Sequence, residues 1–196
     1  MASNHSVTPT LVVYKEVVEG DLRKLRAESN DDPDAGGGAR DLRLPAKTFR
    51  PVMNLIFTRD AVGRGGKQIR VADMIYLDAD RKPLTTKLEY WPPTAARPRE
   101  DRISKIHKSP ALGGRLPDEG RGKVFVLFIK FSDNSVRVTY AYEDELRSGK
   151  WADELSSAIL SCMKATAGKN LGRGGSLVPV QGYYEFATGV QFCHAD

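Results

Sequence analysis

The sequence of 196 residues has few of the side chains from which metal sites and covalent frameworks are built. It contains two cysteines, Cys162 and Cys193, and three scattered histidines, His5, His107 and His194. Neither cysteine has a second Cys or a His at the spacing of a four-ligand zinc site. We therefore expect neither a disulfide scaffold nor a zinc module, and we assign no metal ligand in this chain.

Long apolar runs are also missing. A membrane-spanning helix needs roughly 18 or more consecutive apolar residues, and no run approaches that length. The start, Met-Ala-Ser-Asn-His, lacks the charged and apolar regions of a secretion signal. We expect a soluble, cytoplasmic protein without a membrane partner, and the length suits one well-filled domain.

Positive charge is in surplus, and most of the surplus is local. The formal net charge is +5 and the sequence pI is about 9.2. Residues 97–108 alone carry five positive and two negative charges, a net +3. Such a concentration favours an anionic partner at one place on the surface.

Short apolar runs separated by turn residues predict a mainly β fold with one or two helices. We expect about seven or eight strands in a β-barrel or pseudobarrel. The predicted strands include residues 51–58, 69–77, 85–91, 123–131 and 135–142, and the predicted helix spans 151–164. The domain then covers residues 1–167. A glycine-rich loop follows from residue 168, and the closing segment to residue 196 forms either a last strand pair or the approach to a further domain.

The segment 97–108 has the side chains that read G·C pairs. Arginine matches the O6 and N7 acceptors of guanine, and a carboxylate accepts from the cytosine amino group. Pro92 and Pro93 precede the segment and Pro98 lies within it, and these prolines predict that the segment is displayed on a loop. The alternative is a solvated loop whose arginines pair with Glu100, Asp101 and Asp118.

A nuclease is a second alternative. Asp80-Arg-Lys82 matches the acid-x-Lys half of a PD-(D/E)xK site, with Asp60 or Asp73 upstream as a further carboxylate. Such carboxylates would hold Mg²⁺, and the lysine would orient the attacking water. The competing interpretation is a hairpin turn before Pro83. A third alternative is a stand-alone DNA-binding regulator or a protein-binding module.

Three motifs in the same order resemble the N-terminal effector domain of EcoRII-type restriction endonucleases. They are Ala27-x-Ser-Asn-Asp31 leading through Gly36-Gly37 to Asp41-Leu-Arg-Leu-Pro45; Arg97-Pro-Arg-Glu-Asp-Arg-Ile-Ser104; and Ser109-Pro-Ala-Leu-Gly before an apolar strand. The likeness spans about residues 10–145. The sequence departs from the EcoRII pattern at Gly38, Arg43 and Asp101, where that pattern has histidine, tyrosine and lysine.

The resemblance implies a DNA-binding pseudobarrel whose two arms grip the major groove as a monomer and recognise a CC(A/T)GG-like site. The first arm would run from about Arg23 to Arg43, and the second would follow Arg97. By position, the residues implied to contact DNA are Arg23, Lys24, Arg26, Asn30, Arg40, Arg43, Arg97, Arg99, Glu100, Asp101, Arg102 and Lys105. We expect base reading from the second arm and phosphate contact from Lys105.

The resemblance also implies what this chain would lack. In the parent enzymes, which are Type IIE restriction endonucleases, the effector domain controls a separate nuclease domain. The partners implied are therefore double-stranded DNA and a linked C-terminal nuclease domain, as in a UbaLAI-like arrangement. No cofactor is expected for DNA binding itself, and Mg²⁺ is expected only in the linked nuclease.

Overall fold

A computed structural model describes residues 6–26, 41–95, 98–118, 120–169 and 178–194, and the ten strands in these ranges join one curled sheet. The strands are β1 (Pro9–Glu16), β2 (Leu42–Pro45), β3 (Arg59–Val62), β4 (Gln68–Leu77), β5 (Pro83–Trp91), β6 (Glu100–Ser104), β7 (Val124–Phe131), β8 (Val136–Tyr142), β9 (Gln181–Glu185) and β10 (Gln191–His194). The helices are α1 (Glu19–Arg26), α2 (Ala46–Ile56), α3 (Glu143–Arg147) and α4 (Asp153–Thr166).

The strands follow the order β10-β9-β1-β7-β8-β4-β5-β6-β2, and β3 pairs with β4 at the side. Neighbouring strands are antiparallel except where β4 meets β8. That parallel contact has a single pair in register, Ile75 opposite Arg137. The sheet therefore curls into a half-barrel whose two parts meet along a short seam.

The central strands are apolar on both faces because both faces are covered. In β7, Val126 and Phe128 join a core cluster that includes α2, whereas Phe125 and Leu127 join a second cluster that includes α4. A strand buried on both sides reads as a continuous apolar run instead of an alternating one. This explains why 124–129 is so uniformly hydrophobic.

The prediction of a mainly β fold with few helices is confirmed. The described residues hold ten strands and four helices, where the sequence predicted seven or eight strands and one or two helices. The added helices are short: α1 has eight residues and α3 five. The longest, α4, has 14 residues, and no helix in the described ranges is long and apolar enough to cross a membrane.

The prediction of a strand over residues 51–58 is wrong. The structure has α2 there, with Ala46, Phe49, Val52, Met53 and Ile56 buried along one side. This spacing of three and four residues is helical, but Val, Ile and Phe also favour strands when a short window is considered alone. Packing of this apolar side onto the sheet stabilises the helix, even though Pro51 lies inside it.

The closing segment forms a strand pair. Strand β9 pairs with β1 from Leu11 to Lys15, and β10 pairs with β9, so residues 181–194 belong to the same sheet as the preceding domain. A disulfide joins Cys162 of α4 to Cys193 of β10. The expectation that the two cysteines form no disulfide framework is thus wrong, because folding brings together residues 31 positions apart.

Candidate nucleic-acid interface

Pairing of β2 with β6 brings together two segments that are far apart in the sequence. Arg43 lies opposite Arg102, and Pro45 lies opposite Glu100. Helix α1 packs against the turn Ile106–Lys108 that follows β6. The two basic segments singled out in the sequence therefore meet at one end of the strand order.

The prediction that 97–108 is displayed on a loop is wrong for its central part. Residues 100–104 form β6, where Asp101 and Ile103 are buried and the residues between them are partly exposed. This alternation is the period of a strand with one covered face. The flanking prolines lie outside the paired residues, so they limit β6 without preventing it.

The exposed side of this pairing carries both a cation and an acid. Arg43 and Glu100 are 44% and 39% exposed, and Arg43 Nη1 lies 3.5 Å from Glu100 Oε1. Arg99, just before β6, is exposed as well. We call Arg43, Arg99, Glu100 and Lys105 the β2–β6 patch. An exposed ion pair of this length contributes little to stability, so both groups remain available to a ligand.

Lys105 extends this patch beyond the end of β6. Its side chain is 58% exposed, and its Nζ lies 2.6 Å from Glu89 Oε1 on the neighbouring β5. Its backbone is left-handed, with φ of 59°, where the chain turns into Ile106–Lys108. This turn presents a flexible cation next to the strand. The location agrees with a phosphate contact and leaves that role as a prediction.

Arg102, expected to read a base, is instead largely buried. Its side chain is 14% exposed, with Nη1 3.7 Å from Asp41 Oδ2 and its guanidinium 5.7 Å from the centre of the Trp91 ring. Asp41 also accepts a hydrogen bond of 3.0 Å from Ser104. Arg102 therefore positions β2 against β6. Asp41, just before β2, was missed as a functional residue because only folding brings its carboxylate to Arg102.

Helix α1 is attached to the start of β2 by a hydrogen bond and to β1 by ion pairs. Lys24 Nζ donates to the Asp41 carbonyl at 3.3 Å and pairs with Asp21 at 3.3 Å. Asp21 in turn pairs at 2.5 Å with Lys15 of β1, and both side chains are buried. Lys24, predicted to contact DNA, thus holds α1 in place with 18% of its side chain exposed.

The remaining predicted contacts divide into two groups. Arg23 is 57% exposed and pairs with Glu19 at 3.4 Å, and Arg26 is exposed at the end of the same helix. Both lie on α1, beside the turn after β6. Asn30, Arg40 and Arg97 lie outside the described residues.

Asp101 cannot present its carboxylate to DNA in this fold, which corrects its assignment as a contact residue. It is fully buried on the inner face of β6, beside the hydroxyl of Tyr90. Burial raises the pKa of Asp101 to about 6, while the Tyr90 hydroxyl and Arg50 act in the opposite direction. In the sequence, Asp101 is one of several adjacent charged residues, and these conceal the alternation of buried and exposed positions in β6.

The buried carboxylate makes a pH dependence predictable. The folded-state pKa of about 6 lies above the usual 3.8, so the folded protein binds this proton more tightly than the unfolded chain. The stabilisation is full below about pH 4 and is lost as pH rises through 6. From pH 4.5 to 8 we expect the free energy of unfolding to fall by about 2 kcal/mol relative to Asp101→Asn.

Urea denaturation of both proteins at pH 4.5 and pH 8 measures this difference. Asp80→Asn is the matched control, because Asp80 is 75% exposed and lies in the turn between β4 and β5. Its stability should follow that of the unmodified protein at both pH values. A parallel pH profile for the Asp101→Asn variant and the unmodified protein would contradict the role given to this carboxylate.

The residues of the nuclease alternative are engaged in other contacts. Asp60 and Asp73 pair with Arg70 and Arg59, respectively. Asp78 accepts a hydrogen bond of 2.8 Å from the backbone N–H of Lys82, which closes the turn between β4 and β5. Within the described ranges, no group of three or more His, Cys, Asp or Glu side chains is arranged to hold a metal. The geometry therefore favours the β2–β6 patch as the candidate site.

Comparisons with known proteins add no relative to this description: no family model, no curated protein and no solved structure matches the chain. The register between β2 and β6 decides which charged residues share the exposed surface.

Proposed function

We propose that this chain binds double-stranded DNA and reads its sequence through the β2–β6 patch. The observation that carries the proposal is the pairing of β2 with β6, which places Arg43 and Glu100 on one exposed surface. Arginine matches guanine and glutamate matches cytosine in the major groove. A surface for phosphate alone needs no carboxylate at its centre.

The neighbouring cations supply the contacts to the DNA backbone. Arg99 lies next to Glu100 in the chain, Lys105 follows the same strand, and Arg23 is exposed on α1. Contacts with phosphate orient a protein on the duplex, whereas contacts with bases give the preference for sequence. Both kinds of side chain lie at this end of the sheet, so one copy of the chain suffices for one short site.

We further propose the biological role implied by the resemblance to EcoRII-type enzymes. The chain would serve as the effector domain that controls a linked C-terminal, Mg²⁺-dependent nuclease, and a CC(A/T)GG-like sequence would be its site. Two of the three segments that carry the resemblance are joined by the pairing of β2 with β6. This contact supports a common DNA-binding surface built from both.

The test is a gel-shift titration without Mg²⁺, with a duplex that carries CCTGG and the same duplex with the site scrambled, at one fixed salt concentration. We expect a preference of about a thousandfold or more for the intact site, the lower range for specific recognition. Sedimentation of the complex should give one chain per duplex. Equal weak binding to both duplexes would refute sequence reading, and two chains per site would refute monomeric binding.

A further inference from the structure

A cleft of about 700 Å³ lies beside the seam between β4 and β8. The end of β4, the strand β8, residues 111–118 and the segment between α3 and α4 line it. None of its described lining residues belongs to the β2–β6 patch. In the strand order, β5 and β6 separate the seam from β2. The cleft is thus separate from the patch, and binding of a ligand there does not depend on DNA binding.

Both buried and exposed apolar side chains line the cleft. Val12, Val138 and Leu155, buried at 0%, 1% and 3% exposure, are among its apolar lining residues. Leu77 and Leu116, by contrast, are 40% and 41% exposed along its edge. Exposed large apolar side chains beside a cleft of this size are typical of binding sites for small molecules.

Aromatic side chains in the walls are fixed by hydrogen bonds and ring contacts. The Tyr140 hydroxyl donates to the Leu112 carbonyl at 3.0 Å, and Trp151 Nε1 donates to Glu145 at 3.2 Å. The Arg121 guanidinium lies 3.9 Å from the centre of the Tyr142 ring. A ligand that packs on these rings need not order them first, which lowers the entropic cost of binding.

Three arginines of the cleft are available to bind an anion. Arg121 and Lys150 are already paired with Glu145, at 3.0 and 2.6 Å. Arg81, Arg115 and Arg137 are exposed, and within the part of the chain that the structure describes no carboxylate lies within ion-pair distance of them.

The conformations of two of these arginines suit an anionic ligand. Arg115 donates to the Leu77 carbonyl at 3.0 Å, which holds its guanidinium at the mouth of the cleft. The Arg137 guanidinium lies 4.7 Å from the centre of the Phe131 ring, and its charge acts on Asp133 at longer range. A planar guanidinium held in this way can bind a carboxylate or phosphate through two hydrogen bonds.

We propose that this cleft binds a small aromatic anion, with a flat ring between the aromatic walls and an acidic group on Arg115 and Arg137. The volume suits one such molecule, since ligand sites are commonly about 300–1,000 Å³. The ligand has an aromatic ring and an acidic group. Two classes of molecule have both: nucleoside 5′-monophosphates, with a phosphate, and aromatic carboxylates.

The experiment uses the fluorescent anion 1-anilinonaphthalene-8-sulfonate as the probe. We expect saturable binding of one probe per chain, displaced by GMP or by indole-3-acetate. Which of the two displaces the probe at lower concentration distinguishes the phosphate source from the carboxylate source. Inorganic phosphate and neutral guanosine should displace the probe at least tenfold less effectively, because phosphate lacks the ring and guanosine lacks the acidic group.

The variant Arg115→Gln/Arg137→Gln should weaken probe binding at least tenfold. Both side chains are exposed, and circular dichroism verifies that the variant folds. Arg64→Gln is the matched control, since Arg64 is exposed in the turn between β3 and β4 and does not line the cleft. Unchanged probe affinity in the double variant would overturn the proposal. Displacement by inorganic phosphate or guanosine as effective as by GMP and indole-3-acetate would overturn it as well.

Discussion

Replacing Glu100 by alanine is expected to reduce the preference for the specific duplex by about tenfold to a hundredfold. A base contact of this kind contributes about 1–3 kcal/mol of discrimination. Glu100 is 39% exposed beside Arg43, so its carboxylate is accessible to a cytosine amino group. Removing an acid from a basic surface also reduces repulsion of phosphate. Affinity for the scrambled duplex should therefore stay equal or rise slightly while affinity for the site falls.

Fluorescence anisotropy with both duplexes, repeated at several salt concentrations, measures the affinity for each duplex and therefore the preference. Lys105→Gln should weaken binding to both duplexes alike and make the salt dependence less steep, because it removes a phosphate contact. Lys164→Gln is the control: this exposed lysine lies on α4, which packs on β9 and β10 at the other end of the strand order. A Glu100→Ala variant with an unchanged ratio of affinities would remove Glu100 from base reading.

Removing the disulfide is expected to lower the free energy of unfolding by about 3–4 kcal/mol. The bond closes a chain segment with a separation of 31 residues, and the entropy lost by the unfolded chain sets this magnitude. The variant Cys162→Ala/Cys193→Ala avoids burying a hydroxyl at position 162, where the side chain is fully buried. Urea denaturation with and without dithiothreitol compares the two forms.

Dithiothreitol should bring the unmodified protein down to the stability of the double variant and leave the variant unchanged. A thiol assay in guanidinium should find no free thiol before reduction and two afterwards. The preference for the specific duplex should persist in the variant, because β10 and β2 stand at opposite ends of the strand order. Two free thiols in the protein purified without reductant would contradict the bond.

The sequence predicted the fold best where the strand period was strong. Residues 69–77, 85–91 and 135–142 alternate or carry β-branched side chains, and each forms a strand close to its predicted bounds. A strand is predicted wrongly over residues 51–58 because the helical spacing of buried residues begins at Ala46, outside that segment. A segment of eight residues is too short to distinguish a helical spacing from that of a buried strand.

The candidate site was located in the sequence, but the roles of its residues were not. A charged run indicates a surface, and Arg99, Glu100 and Lys105 do reach one. The inward face of β6 places Asp101 in the core, and the partner strand converts Arg102 into a structural cation. Both assignments need the register with β2, which connects residues about sixty positions apart.

The seam between β4 and β8 has a mechanical consequence. One block of strands contains the disulfide and the other contains the β2–β6 patch, yet a single register pair connects them across the sheet. Side-chain packing in the shared core, more than backbone hydrogen bonding, resists a rotation of one block against the other. The two groups of strands are therefore held in position chiefly by the core cluster to which both contribute.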